Sequence, residues 1–218
     1  LTNSGYSQVY DGDAAADITP AWSFNGFISG DTSATIAYTG RNYNTANVTT
    51  ANLITVSGLS ITSVAGGNSS APEDYVLDST TKTVNATVTP KTVSLAVAPK
   101  VYDGSTDMTG YVSITTGVGS ETLTYNGATS NDAHVATADK YINAITLGNA
   151  SDGSGGLASN YQLPTLNAAN ALVTINPKTL TLTLTNSGYS QVYDVSTRLV
   201  VSAGIARCSR GPQAATSY

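Results

Sequence analysis

Two short stretches of the chain alternate strictly between apolar and small or polar residues. Val93, Leu95 and Val97 form one row, and Leu180, Leu182 and Leu184 form the other. Period-two alternation puts one set of side chains on a buried face of a β-strand and the other set on its wet face. Each row follows a proline-lysine-threonine step, Pro90-Lys91-Thr92 in one case and Pro177-Lys178-Thr179 in the other. Proline suits that place, because ahead of the strand its missing N–H costs no ladder bond. Runs rich in β-branched and aromatic residues predict further strands over residues 34–39, 53–57, 83–89, 111–115, 121–125, 142–147 and 171–176. Clusters of Gly, Asn, Asp and Ser separate them, as turns require. Residues 131–141 are the one candidate for a short helix, capped by Ser130 or Asn131. The expected fold class is all-β.

The elements recur. Residues 1–11, LTNSGYSQVYD, return unchanged as residues 184–194, and VYDGSTD at 101–107 is a looser copy of VYDGDAA at 9–15. Tyr10, Tyr102 and Tyr193 are spaced by 92 and 91 residues. Asp74-Tyr75-Val76-Leu77 and Asn160-Tyr161-Gln162-Leu163 keep the same phase, each leading into a Pro-Lys-Thr step. A period of this length is a domain and not a solenoid coil. The organisation expected is therefore a truncated unit over 1–90, a complete unit over 91–177, the opening of a third over 178–194, and a non-repeat tail over 195–218. A unit of roughly 90 residues buries enough surface to fold by itself. An Ig-like β-sandwich is the expected topology for each unit, with a β-grasp-like module carrying one short helix as the alternative.

Composition narrows the function. With 13 Tyr against 2 Phe, 1 Trp and 1 Met, the aromatic supply is that of strands. Only 11% of the 218 residues are charged and the net charge is −5, so the attraction to phosphate that drives nucleic-acid binding is missing. A single cysteine, Cys208, makes no internal disulfide or cysteine-based zinc site, and a single histidine, His134, supplies little for a triad. No run of apolar residues is long enough to span a membrane. The chain starts at Leu1 and its one methionine is Met108, so it reads as a piece of a longer polypeptide.

The motif that carries most information is Tyr-Asp-Gly, at Tyr10-Asp11-Gly12 and Tyr102-Asp103-Gly104, with Tyr193-Asp194 opening a third copy in which Val195 replaces the glycine. An Asp at this place accepts bonds from main-chain N–H groups just ahead of it, Gly supplies a positive φ, and Tyr packs across the turn with its hydroxyl wet. Calcium is the functional alternative, at Asp11, Asp13 and Asp17, at Asp103 and Asp107, or at Asp152; a calcium loop is more densely acidic than any of these. Preceded by Val, followed by Gly30-Asp31 in the first unit, and closed by Asp/Asn-Tyr-x-Leu and Pro-Lys-Thr, the motif resembles the YDG-type repeats of large bacterial surface adhesins. Asp13-Ala14 departs from that family's usual Thr-Thr. The resemblance covers residues 1–194. It implies a secreted, filamentous-haemagglutinin-like protein, extracellular at the bacterial surface, whose tandem modules form a stalk or display region. Its partners would be neighbouring repeats and surface glycans or proteins. No catalytic residue and no cofactor carries over.

Other signals have simpler readings. His134 beside Asp132 or Asp139 imitates a base and its carboxylate, but a solvated loop histidine accounts for it. Glu121 stands alone among threonines. Asn47, Asn68, Asn85 and Asn149 head glycosylation-like sequons at a frequency that chance explains. The row Thr179, Thr181, Thr183 and Thr185 offers hydroxyls to ice or sugar, and Tyr38, Tyr43, Tyr111, Tyr125 and Tyr141 offer rings for sugar stacking; a lectin-like or ice-binding module is the alternative function. The plainer expectation is polar strand faces and core tyrosines. Residues 195–218 hold Arg198, Arg207 and Arg210 and no acidic residue. That shift, at the point where the repeat breaks, predicts a changed reading frame or vector-derived sequence rather than a natural cap.

Overall fold

A computed structural model of the chain describes residues 1–184. Among the described residues, fourteen strands and very little helix make it all-β. In the first half the strands are β1 (Tyr6–Val9), β2 (Asp31–Ala37), β3 (Gly40–Tyr43), β4 (Leu53–Ser57), β5 (Ser60–Gly66) and β6 (Thr81–Thr89). In the second they are β7 (Lys91–Thr92), β8 (Ser94–Val97), β9 (Lys100–Val101), β10 (Val112–Thr115), β11 (Thr124–Ser130), β12 (Ile142–Gly148), β13 (Tyr161–Gln162) and β14 (Ile175–Asn176). A four-stranded sheet runs β1-β6-β4-β3, with β1 parallel to β6, and β2 pairs antiparallel with β5 as a separate two-stranded sheet. The second half repeats parts of this plan: β9 lies parallel to β14 as β1 does to β6, and β11 pairs with β12.

Alternation decides which side chains go in. In β4 the pattern buries Ile54 and Val56 completely, while Leu53, Thr55 and Ser57 stay half-exposed. Those two residues join Ile18, Tyr43, Ala86 and Val88 in the first core, and Met108, Ala128, Ile142 and Val173 build the second. The first core does not stop at Pro90. It includes Val93, Val118 and Tyr161, and residues 1–178 form one compact unit. The boundary expected between residues 90 and 91 is thus crossed by buried side chains.

Three expectations are corrected. Residues 131–141 form bends and turns, and the helix is instead α1, Ala168–Ala171, where the Asn167 side chain accepts from the Asn170 N–H. The strand expected at 121–125 runs Thr124–Ser130, because Thr122 turns outward to bond Asp152. Residues 179–184 form no strand, and Leu180, Leu182 and Leu184 are 89%, 96% and 70% exposed. The equivalent row at Val93, Leu95 and Val97 is half to fully buried because β8 pairs with β10, whereas no described strand pairs with residues 179–184. Tyr193, Asp194 and the tail over 195–218 lie outside the described residues.

Candidate functional site: the repeated loops and the junction between them

The two described Tyr-Asp-Gly loops are built alike. Tyr10 donates its N–H to the Thr89 carbonyl (2.9 Å) and Tyr102 donates to the Asn176 carbonyl (2.9 Å), each extending a parallel strand pair by one bond. Asp11 Oδ1 then accepts from the Asp13 N–H (3.0 Å), and Asp103 Oδ1 from the Ser105 N–H (2.9 Å). The next turn repeats the device: Asp13 Oδ1 accepts from Ala15 N–H (3.0 Å) in one loop and Ser105 Oγ from Asp107 N–H (3.0 Å) in the other. Asp107 Oδ1 adds a third such bond, from Thr109 N–H (2.8 Å). Gly12 and Gly104 have φ of 88° and 82°, a region in which a side chain is strained.

Two residues ahead of each tyrosine, different side chains hold the loop together. Lys100, 3% exposed, turns its ammonium inward to donate to the carbonyls of Asp107 (2.6 Å) and Ser105 (3.1 Å) and to pair with Asp103 (3.0 Å). These charge-assisted bonds hold the Asp103 carboxyl below its usual range, behind the larger effect of the Ser105 N–H. At the matching place in the first loop, Gln8 donates to Asp11 (2.9 Å) and to the Ala15 carbonyl (3.2 Å), and accepts from Asp17 N–H (3.1 Å). Of the carboxylates that a calcium ion would need, that of Asp103 is turned to an ammonium and the Ser105 N–H, that of Asp107 to the Thr109 N–H, and those of Asp11 and Asp13 to amide N–H groups. Among the described residues, no group of three or more His, Cys, Asp or Glu is placed to hold a metal.

The tyrosines differ most. Tyr10 is 4% exposed, and its hydroxyl is not wet but donates to Glu121 Oε1 at 2.6 Å. Tyr161 donates to the other oxygen of the same carboxylate at 2.8 Å, and the two rings meet edge-on at 5.4 Å. Burial first, and then the bond to Glu121, push the Tyr10 hydroxyl up to about 12; the same two causes raise Tyr161. Beside them Gly12 comes so close to Val118 that a Cβ there would lie 2.6 Å from Cγ1. Asn160, fully buried, donates to Asn47 Oδ1 (3.0 Å) and accepts from the Val48 N–H (3.0 Å). Sequence reasoning passed over Glu121 as isolated; its partners stand 111 and 40 residues away, with no local signal linking them. Tyr102 has no such seat and stacks on His134 at 6.2 Å, while Asp132 accepts from the main-chain N–H of His134.

The remaining candidates are dispersed. Asp152 accepts from the Ser154 N–H and then the Thr122 hydroxyl, which in that order hold its carboxyl down to about 2. Tyr43 is buried and donates to the Thr87 carbonyl; Tyr125 accepts from the N–H groups of Gly110 and Val112; Tyr38 is exposed beside Arg41. Asp31 accepts from Ser70 (2.6 Å), Tyr75 (2.7 Å) and Asn68 (3.0 Å), tying the β2–β5 pair to residues 68–75. No helix among the described residues is long and apolar enough to cross a membrane.

Residues 1–83 match the family model of the YDG domain. No curated protein and no solved structure matches the chain.

Proposed function

We propose that this chain is part of the repeat region of a secreted bacterial surface adhesin, a stalk or display element that helps attach the cell to other cells or to matrix. The observation that carries the reading is the seat of Tyr10. Tyr10 of one repeat is bonded to Glu121 and packed edge-on against Tyr161 of the next, with Gly12 against Val118, so this copy of the motif serves as a connector between neighbours. A junction in which every polar group is partnered resists bending, and stacked modules with such contacts make a stiff array. Within it we read each unit as an Ig-like sandwich variant, a reading supported by the four-stranded sheet and by Ile36 of the β2–β5 pair packing on the same core. The low fraction of charged residues and the many hydroxyls suit a surface that meets water outside the cell.

Antibody against the 218-residue chain tests the placement. It should label intact, unpermeabilised cells of the source bacterium, and protease treatment of whole cells should remove the signal; antigen confined to the soluble lysate overturns the reading. A glycan and ice-affinity screen of the same chain should give no saturable binding. Saturable binding there would favour the lectin-like alternative.

A further inference from the structure

Among the described residues three pairs of strands run parallel, every other pair is antiparallel, and the parallel pairs hold a particular place in the chain. In the first half β1 is the first strand and β6 the last, joined in register from Tyr6 beside Ala86 to Val9 beside Thr89. In the second half β7 is the first and β14 the last described. There β7 lies parallel to β13 with Lys91 beside Tyr161, and β9 parallel to β14 with Lys100 beside Ile175. The antiparallel pairs β2–β5, β3–β4 and β11–β12 lie in the chain between those outer strands.

Chain polarity decides how each kind of pair meets tension. A pull along the chain draws the earlier strand of a pair toward its own N-terminal side and the later strand toward its C-terminal side. In an antiparallel pair both pulls act at the same end of the ladder, so its bonds open one after another. In a parallel pair the pulls act at opposite ends, and the strands can part only by sliding, with their evenly spaced bonds loaded together.

The first parallel pair is also stopped at its far end. The Tyr10 N–H continues it to the Thr89 carbonyl, and the Thr89 hydroxyl donates to the Gln8 carbonyl at 3.3 Å. Beyond that rung the Tyr10 hydroxyl is bonded to Glu121 and its ring lies edge-on to Tyr161, the first residue of β13. Sliding β1 back along β6 would therefore draw the Tyr10 side chain out of its seat. In the second half the Lys100 N–H reaches the Thr174 carbonyl (3.0 Å) and the Tyr102 N–H the Asn176 carbonyl, one at each end of the β9–β14 pair. Across β7–β13 the Val93 N–H bonds the Gln162 carbonyl (3.0 Å) and the Gln162 amide donates to the Thr92 hydroxyl (3.0 Å).

We propose that this protein carries tension along its chain, and that the parallel pairs β1–β6, β7–β13 and β9–β14 are the shear clamps that bear it. A pull meets a clamp in each half before it reaches the antiparallel pairs enclosed within. The seat of Tyr10 joins the clamp of the first half to β13, and so to the entry clamp of the second. The inference rests on strand direction and goes beyond the reading of an adhesive stalk: it holds for these two halves wherever the cell places them.

Forced unfolding reads the barrier out of the folded state and not the equilibrium stability, so pulling one fold in two directions isolates the geometry. In single-molecule pulling of the 218-residue chain, with Cys208→Ser throughout to keep each attachment unique, one handle is fixed at residue 1. The second is fixed either at residue 218, which loads the clamps in shear, or at Thr80→Cys, beside the start of β6, which loads the β1–β6 rungs from a single end. Thr80 is exposed, and Thr81→Cys, at an exposed position too, gives an independent second attachment. Ruptures that release at least roughly 200 Å of chain, the extended reach of about 60 residues, are compared at one loading rate. Among proteins with matching denaturant midpoints, end-to-end rupture should need a severalfold higher force than rupture from either inner site. Equal forces in the two directions, or an end-to-end trace that lengthens without a rupture peak, overturn the proposal.

Discussion

Lys100 and Gln8 occupy the same position of the repeat, two residues ahead of the loop tyrosine, and each gathers the acceptors of its loop. Lys100 does so buried, with a full charge and three partners, while Gln8 does so half-buried, with a neutral amide. The tyrosines show the opposite ranking. Tyr10 is locked between the halves, whereas Tyr102 packs only partly, against His134. In the first half the loop is held mainly by its neighbour, and in the second mainly by its own lysine. A repeat sequence can thus keep one turn geometry while moving the energy that holds it from inside a module to the joint between modules.

The largest test of that comparison is whether the halves melt together. Ile54→Ala and Ile142→Ala each empty a fully buried site, one in each core, and each should cost about 3 kcal/mol. Because Val93, Val118 and Tyr161 belong to the first core, calorimetry should find one transition that both variants lower. Two separate transitions, each moved by one variant alone, would mean the joint carries little.

Removing the joint's carboxylate comes next. Glu121→Ala leaves two partly buried tyrosine hydroxyls without their acceptor, at a cost of about 2–3 kcal/mol in denaturant unfolding. It should also bring the late alkaline ionisation of Tyr10, now pushed up to about 12, back toward the ordinary range near 10 in an ultraviolet titration.

The two loop organisers can be compared directly. Lys100→Met strips three acceptors of a buried donor and should cost about 2 kcal/mol, while Gln8→Met, at a half-buried site with a neutral amide, should cost only about 1 kcal/mol. Equal losses would refute the difference drawn between the loops.

Glycine separates the loops on a finer scale. Gly12→Ala and Gly104→Ala share the strain of positive φ, but only the first meets a neighbour, Val118, so it should be worse by about 1 kcal/mol.

The smallest effect is on acid stability. Bonds from Ser70 and then Tyr75 hold the Asp31 carboxyl below its usual range. A depressed carboxyl contributes stability that is complete above the unfolded value of about 3.9 and is lost as pH falls through the folded value. Asp31→Asn should therefore differ from the parent at neutral pH and converge with it in strong acid; a gap that does not change with pH removes the ionised form from the account.

Much of this was written locally. Strand 53–57 is as the alternation predicts, and those expected at 83–89, 111–115 and 142–147 are off by a residue or two at their ends. The turn bonds of Asp11 and Asp103 follow because an Asx acceptor reaches a donor only two residues on. The helix expectation at 131–141 failed for the opposite reason: its capping residue Asn131 accepts from the Tyr141 N–H ten residues away, a bond no local pattern records.

The sequence by itself determined the all-strand class, the phase of the repeat and the shape of each Tyr-Asp-Gly turn, because all three rest on bonds and periodicities spanning a few residues. Tertiary structure alone decided that Glu121 receives both Tyr10 and Tyr161, that the Lys100 ammonium turns into its loop, and that Leu180, Leu182 and Leu184 stand exposed while Val93 is buried. An alternating segment is a strand only when another strand is there to pair with it, and whether one is depends on residues far away in the chain.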